Sequence, residues 1–168
     1  MLYTLPSGSR VLIRPIAADD KDKLTRGLRQ LSEESIRKRF LAAKPRFTAA
    51  ELRYLTEVDG VNHIALVAVL ERHPEQLVAV ARCVRLPDRP ATAEMAIVVG
   101  DPWQNQGLGR ELATRLADAA RAAGIRRFAA TMLGDNDAIR RLMRTITAHL
   151  EVDRIHHGVR EVVADLAA

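Results

Sequence analysis

Residues 103–110 read Trp103-Gln104-Asn105-Gln106-Gly107-Leu108-Gly109-Arg110, and this stretch decides the fold. It follows an apolar run at 95–99 and precedes an apolar stripe at helical spacing that begins at Leu108. The chain therefore turns on two glycines between a strand and a helix. The first N–H groups of a helix have no internal partner and carry the positive end of the helix dipole. This turn is therefore suited to a pyrophosphate.

The spacing Gln-x-x-Gly-x-Gly excludes two other phosphate-binding motifs. The phosphate loop of ATPases requires Gly-Lys-Ser/Thr, and the dinucleotide fingerprint requires a further glycine. On spacing alone, an alternative stays open in which the glycines only form a tight strand-to-helix turn.

The flanks of this turn resemble the acetyl-CoA-binding motif of the GNAT acetyltransferase superfamily, because 94–109 combines a strand, a Pro-containing connection, Gln-x-x-Gly-x-Gly and a helix start. The resemblance implies a GNAT fold with acetyl-CoA as co-substrate. The pyrophosphate would lie on the backbone of the turn. In the family the preceding strand splays from its neighbour and offers backbone groups to the pantetheine arm and the thioester carbonyl, with the Ile97 N–H aimed at the developing oxyanion. The positions so assigned are Ile97, Val98, Val99, Gln104, Asn105, Gln106, Gly107, Leu108, Gly109 and Arg110.

Length and composition indicate one globular domain spanning 1–168, of which 48% of the residues are hydrophobic. The chain shows neither a secretory signal nor a run long enough to span a membrane, so we expect a cytoplasmic protein without a membrane partner. The single cysteine, Cys83, lies in an apolar run and is expected in the core.

The net charge of +5 suits an anionic partner, and coenzyme A with its phosphates is sufficient to explain it. Arginines are scattered and aromatic residues are scarce, so nucleic-acid binding is not predicted. The densest basic stretch, Arg37-Lys38-Arg39, is interpreted as a solvated helix face, with an acidic substrate as the alternative.

Hydrophobic periodicity and capping signals predict the order of elements. The expected sheet is mixed, mostly antiparallel and of about six to seven strands, with helices on both faces. This α/β order is also that of GNAT proteins. The predicted strands are 10–16, 63–70, 77–86, 91–99, 126–133 and a closing hairpin of about 148–153 and 159–166. The predicted helices are about 21–31, one starting at Ser32, a short one capped by Thr48, 107–123 and 138–145.

Glu94 is the candidate general base. It is a carboxylate within an otherwise apolar strand, and we expect it to be buried. Delivering a lysine amine in its neutral form at pH 7 costs about 4–5 kcal/mol, so a base beside the acetyl group is useful. The alternative is a structural carboxylate paired with Arg82 or Arg85.

Two positions near the C-terminus complete the expected site. Asn136 resembles the family's asparagine that contacts the pantetheine or the helix start, although asparagine is also a common N-cap. Seven residues further on, where many GNAT enzymes have a tyrosine acid, stands Met143. Tyr3 and Tyr54 are far away in sequence, so we predict no tyrosine acid.

The histidines lack metal-binding spacing and no cysteine pair accompanies them, so no metal is predicted. No Gly-x-Ser-x-Gly motif suggests a hydrolase. Several phrases, among them Leu31-Ser-Glu-Glu-Ser35 and Arg39-Phe40, resemble the Pat-type protein lysine acetyltransferases. This resemblance implies an N-acetyltransferase acting on a primary amine, with a protein lysine preferred as acceptor.

Two alternatives stay open. The chain is a small-molecule amine acetyltransferase, or it is a non-catalytic acyl-CoA-binding module in which Glu94 is dispensable. Oligomeric state is also open, with a homodimer as one alternative.

Overall fold

The computed structural model describes residues 1–147 and 149–166. Eight strands form one sheet in the order β1-β2-β3-β4-β5-β6-β8-β7, and every neighbouring pair is antiparallel except β5–β6. The predicted mixed, mostly antiparallel sheet is therefore confirmed. The strands are β1 (Leu2–Thr4), β2 (Arg10–Pro15), β3 (His63–Leu70), β4 (Leu77–Leu86), β5 (Arg89–Val99), β6 (Arg127–Leu133), β7 (Leu150–His156) and β8 (Val159–Asp165).

Five helices cover the two faces of this sheet, and within the described ranges none of them is long and apolar enough to cross a membrane. They are α1 (Lys21–Gln30), α2 (Glu33–Phe40), α3 (Ala49–Thr56), α4 (Leu108–Ala122) and α5 (Asp137–Ile146). The buried stripe of α4, which includes Leu108, Leu112 and Leu116, packs into the main core with the sheet and α5. A smaller core between the other face and α1 and α3 contains Leu24, Val67 and Val80. The central strands β3 and β4 are nearly continuous apolar runs because both of their faces are covered.

The parallel pair β5–β6 is joined over only part of its length. Paired Cα positions run from Thr92 and Arg127 to Glu94 and Ala129 and end there. Beyond that point β5 stays paired with β4, and β6 stays paired with β8. The two strands therefore diverge and leave a gap in the middle of the sheet.

The sequence prediction missed β1 and misjudged the closing hairpin. The three residues of β1 pair with β2 at the sheet edge and are too short to show a periodic pattern. Strand β7 continues to His156, beyond the predicted end at 153, because the turn is made by His157 and Gly158, both at positive φ. Residue 148, the predicted start of that strand, lies outside the described residues. Cys83 is fully buried as expected, and burial raises the pKa of its thiol to about 12.

Asp20 is a fully buried carboxylate that anchors the start of α1. It accepts a bidentate pair of 2.7 Å hydrogen bonds from Arg14, a third from Lys23 and a fourth from the backbone N–H of Ala17. Burial alone would raise the pKa of Asp20, but these hydrogen bonds outweigh it and hold that pKa well below its usual range.

We expect Asp20→Asn to reduce the free energy of unfolding by about 3 kcal/mol, because Arg14 and Lys23 would lose their buried counter-charge. The folded-state pKa of Asp20 is depressed, so its contribution is fully present above about pH 4 and is lost as the pH falls. Urea unfolding between pH 3 and pH 7 measures both effects. Wild-type and variant stabilities should converge toward acid, and a difference independent of pH would contradict this account.

Candidate active site

A cleft of about 440 Å³ occupies the gap between the diverging strands β5 and β6. It is bounded by α2 on one face of the sheet and by α5 and the start of α4 on the other. It thus connects the two faces of the sheet. Its lining includes Lys38 and Arg39 from α2, residues 95–99 of β5, Ala130, Thr131 and Met132 of β6, the turn residues Asp101, Trp103, Gln104, Asn105, Gly107, Gly109 and Arg110, and Asn136, Ile139, Arg141 and Leu142 around α5.

The backbone of β5 directs free polar groups into this cleft. The N–H of Gly100 donates to the carbonyl of Val78 on the β4 side, and at the other end of the strand the Ala91 carbonyl accepts from Arg126 on the β6 side. Because backbone groups alternate in direction along a strand, Ile97 and Val99 point toward the gap, whereas Val98 points toward β4. The N–H groups of Ile97 and Val99 therefore face the space that β6 has left.

The glycine turn leads directly from this strand into α4. Asn105 and Gly107 have positive φ values of 58° and 82°. The first backbone hydrogen bond of the helix is donated by Glu111 to Gly107, at 3.1 Å. The N–H groups of Leu108, Gly109 and Arg110 precede it and have no acceptor inside the helix. The turn thus presents a row of N–H donors at the positive end of a helix of 15 residues.

Gln104 and Asp101 tie this turn to α2. The Gln104 side chain donates to the Val99 carbonyl at 3.0 Å and to the Ser35 hydroxyl at 3.1 Å. Asp101 accepts from the backbone and hydroxyl of Ser32 and from the hydroxyl of Ser35. The backbone N–H of Gln104 donates to the backbone carbonyl of Asp101 at 3.3 Å, so this N–H already has an acceptor. Gln104 therefore contributes to this site chiefly through its side chain.

Nine of the eleven residues predicted to bind the coenzyme line the cleft. The side chains of Gln106 and Leu108 do not. Leu108 packs in the core, and the Gln106 amide donates to the Pro102 carbonyl. Their backbones belong to the glycine turn, and the sequence analysis expected the backbone of this turn to bind the pyrophosphate.

Asn136 occupies the N-cap position of α5, yet its side chain makes no capping hydrogen bond. The residue is nine-tenths buried and lines the cleft. Its amide is therefore available to a ligand, and the capping alternative does not describe what this side chain does.

Three positions bear on the prediction that the site has no tyrosine acid: Met143, Tyr54 and Tyr3. Met143 is fully buried in the main core. Tyr54 packs against His63, with ring centroids 4.9 Å apart. Tyr3, which is distant in sequence, lies beside the glycine turn, because its hydroxyl is 3.2 Å from the place where a Cβ on Gly107 would stand. Tyr3 is absent from the lining of the cleft.

Glu94 is exposed, so the expectation that it is buried is wrong. It lies opposite Val84 on β4, on the face of the sheet that carries α2. The alternative pairing is also wrong: Arg82 bonds to Leu55 and His63, and Arg85 bonds to Asn62, Pro90 and Ala123. Within the described residues Glu94 has no ion-pair partner within 4.0 Å. Its carboxylate is therefore unpaired within the described structure, and Glu94 is absent from the residues that line the cleft.

Sequence reasoning missed Arg39 and Lys38 as site residues. Arg39 is half-buried on α2, lines the cleft and senses the charge of Glu94. Lys38 also lines the cleft and pairs with Glu34 one turn earlier. The preferred interpretation of this basic stretch as a solvated face therefore holds for the exposed Arg37 and fails for its two neighbours.

Arg82 and His63 form a buried polar pair next to this site. Arg82 Nη1 donates to the Leu55 carbonyl at 3.1 Å and lies 3.0 Å from His63 Nε2. Burial, aided by the charge of Arg82, lowers the pKa of His63 to about 4, so the imidazole is neutral at pH 7 and Nε2 accepts. Burial and the nearby charge of Arg39 lower the pKa of Arg82 to about 10. Across 1–147 and 149–166 no group of three His, Cys, Asp or Glu side chains is arranged to hold a metal ion.

Comparison with known proteins agrees with this geometry. Residues 29–146 match the model of the acetyltransferase (GNAT) family. Acetyltransferase Pat of Mycolicibacterium smegmatis is 35% identical over 143 residues, which are 84% of this chain, and the chain spans only 42% of that relative. The GNAT domain of S. lividans PAT superposes with a TM-score of 0.86 at 30% identity, covering 99% of this chain and 96% of that one.

A more distant structure, yncA from Salmonella typhimurium with its cofactor acetyl-CoA, is 18% identical with a TM-score of 0.73 over 94% of each chain, and it shows a likeness of fold alone. The family model matches more than half of the residues, in the region that contains the diverging strands, the glycine turn and Asn136. This chain belongs to the acetyltransferase (GNAT) family.

Proposed function

We propose that this protein transfers an acetyl group from acetyl-CoA to a primary amine, with a protein lysine as the preferred acceptor and Glu94 as general base. The observation that carries the proposal is the open gap between β5 and β6. The gap leads without interruption from the N–H groups of Ile97 and Val99 to the donor row of the glycine turn.

The cleft matches the chemistry of the coenzyme from end to end. The pyrophosphate suits the N–H groups of Gly107 to Arg110, and the cationic side chains of Arg110 and Arg141 line the same region. The pantetheine amides can pair with the free edge of β5, as a strand would, and with the Asn136 amide. A cleft of about 440 Å³ that passes through the sheet leaves the thioester near Ile97 and an acceptor entrance beside α2.

The reaction then follows from the groups at this entrance. The amine nitrogen attacks the thioester carbonyl, an N–C bond forms and the C–S bond breaks. In this proposal the N–H of Ile97 stabilises the oxyanion that develops, and electrostatic stabilisation of this kind contributes most to many enzymatic acyl transfers. Glu94 takes the proton that the amine loses, directly or through a water molecule. Its exposure favours a role at the acceptor entrance.

The leaving thiolate has no tyrosine partner in this scheme, because Met143 is buried in the core. A thiol pKa of about 8.5 allows the thiolate to leave unprotonated and to take a proton from water. In this scheme Glu94 acts on the amine, and no charged side chain acts on the leaving thiolate.

The resemblance to Pat-type protein lysine acetyltransferases is the reason for preferring a protein lysine over a small amine. Because this chain spans only 42% of the Pat relative from Mycolicibacterium smegmatis, the acceptor is a matter for experiment. Incubation of the protein with labelled acetyl-CoA and host lysate, followed by separation of proteins from small molecules, tests the proposal. We expect label in protein, at the ε-amino group of lysine. Label confined to small molecules would support the small-amine alternative, and no enzyme-dependent label in either fraction would support a non-catalytic binding module.

A further inference from the structure

Two guanidinium groups without a carboxylate partner lie on the α2 side of the sheet: Arg39 lines the cleft, and Arg82 is buried in β4. Within the part of the chain that is described, neither Arg39 nor Arg82 forms an ion pair within 4.0 Å. Helix α2 packs over β5, and β5 pairs with β4, so the two guanidinium groups lie on neighbouring elements. In keeping with this placement, the charge of Arg39 adds to burial in lowering the pKa of Arg82, and the charge of Glu94 opposes the lowering of the Arg39 pKa by burial. Like charges held together in a half-buried place are unfavourable unless an anion joins them.

Arg82 is held in a fixed position inside the protein. Arg82 is nine-tenths buried, and both of its hydrogen bonds are made through Nη1. Its partners are the neutral His63 ring and the carbonyl of Leu55 in the last turn of α3, so its charge is oriented but not neutralised. Ala96, which lines the cleft, stands directly opposite Arg82 across the β4–β5 pair.

Arg39 presents the same charge to the cleft itself. Its guanidinium carbon lies 4.9 Å from the centre of the Phe40 ring, and no hydrogen bond within the described chain uses its five donors. A planar guanidinium with free donors matches a carboxylate through two parallel hydrogen bonds. With His63 neutral, Arg39, Arg82 and Glu94 together carry a net charge of +1 at pH 7. Glu94 therefore does not neutralise the two guanidinium groups.

We propose that the acceptor carries a carboxylate close to its reactive amine, and that Arg39, backed by Arg82, binds this carboxylate while Glu94 faces the amine. The inference rests on the proposed function and names its substrate class. Two sources offer this chemistry: an acidic side chain beside a lysine in a polypeptide, and the carboxylate of a free amino acid.

The test uses two pairs of acceptors that differ only in the negative charge. One pair is a lysine peptide with flanking Glu and the same peptide with flanking Gln, and the other is free lysine and lysinamide. We expect kcat/KM to be about tenfold higher for the charged member of at least one pair, as a charge-assisted hydrogen bond allows. The pair that shows the preference identifies the source.

Arg39→Gln should remove this preference by lowering kcat/KM about tenfold more for the charged acceptor than for the neutral one. Arg39→Lys should retain part of it. Arg37→Gln is the matched control, because Arg37 lies on the same helix and is exposed. Parity between the members of both pairs in the wild type, or an equal loss for all acceptors in Arg39→Gln, would overturn the inference.

A binding measurement separates this inference from the proposed function. Dissociation constants of the fluorescently labelled Glu and Gln peptides, and of unlabelled lysine and lysinamide by competition, are measured in the presence of coenzyme A. They require no turnover. If no acceptor is acetylated, tighter binding of a charged member that Arg39→Gln abolishes still supports carboxylate recognition, whereas equal binding within both pairs overturns it.

Discussion

Replacement of Gly107 by aspartate should abolish coenzyme binding. Gly107 has a φ of 82°, a backbone conformation that residues other than glycine adopt at a cost of about 1–2 kcal/mol. A Cβ at this position would lie 3.2 Å from the Tyr3 hydroxyl, so that hydroxyl or the turn must shift. The aspartate also brings a negative charge to the donor row intended for a pyrophosphate. We expect affinity for acetyl-CoA to fall by at least about 100-fold.

The measurement is the change in melting temperature on adding coenzyme A. For the wild type, ligand at 100 times its dissociation constant adds about 2.7 kcal/mol, which for a domain of this size is roughly 5 °C or more. At the same ligand concentration a 100-fold weaker Gly107→Asp should gain no more than about 0.4 kcal/mol, which is a shift of roughly 1 °C. An absent shift in the wild type would contradict the coenzyme site itself, and a wild-type shift in the variant would contradict its placement.

Gly124→Asp is the matched control for backbone strain. Gly124 follows the other end of α4, has a φ of 79° and would place its Cβ in open space. This variant shares the strain and the added charge of Gly107→Asp but should keep the full coenzyme shift. Gly109→Ala complements it, because a Cβ there meets Val99 at an ordinary 3.7 Å and the fold should tolerate it. Weaker coenzyme binding in a stably folded Gly109→Ala would show that the backbone needs close approach at this position.

Replacement of Glu94 by glutamine should lower the rate of acetyl transfer at least tenfold without affecting coenzyme binding. General bases contribute about 10²- to 10⁴-fold, and the cost of deprotonating a lysine amine at pH 7 sets the demand on this one. Because Glu94 is exposed and has no ion pair in the described structure, the substitution removes a charge without breaking a structural contact. The readouts are single-turnover transfer and the coenzyme shift in melting temperature.

An acceptor of lower basicity sharpens this test. An amine with a pKa of about 8 is already partly unprotonated at pH 7, so it should lose less in Glu94→Gln than a lysine does. Glu75→Gln, at an exposed position far from the cleft, controls for the loss of a surface carboxylate. A transfer rate that Glu94→Gln leaves unchanged would remove Glu94 from the mechanism, while an equal loss for both amines would indicate a role other than proton transfer.

Local signals in the sequence were sufficient to predict most of the helices and strands and the glycine turn. The bounds of β3 and β4 follow directly from their apolar runs, and Thr48 and Glu51 form the capping box that was expected. The strand-to-helix turn at 104–110 could be located because glycine positions encode backbone shape directly. The edge strand β1 could not, since three residues carry no period.

The acceptor side was decided by the tertiary structure alone. Apolar sequence neighbours led to the prediction that Glu94 is buried, yet the sheet leaves its side chain exposed. Arg82 and Arg85 were plausible partners by proximity in sequence, but the partners of a strand residue come from other strands and from the helices packed above them. The charge of Glu94 reaches Arg39 only through the placement of α2, which Asp101 and Gln104 tie to the glycine turn.

The sequence by itself determined the glycine turn that we propose as the donor site, because one continuous stretch with glycines at a helix start specifies its backbone shape. The tertiary structure decided the charge at the acceptor entrance, since that charge is a sum over side chains from α2, β4 and β5, which are distant along the chain. Coulomb interactions depend on distances in space, and only the packed fold sets those distances.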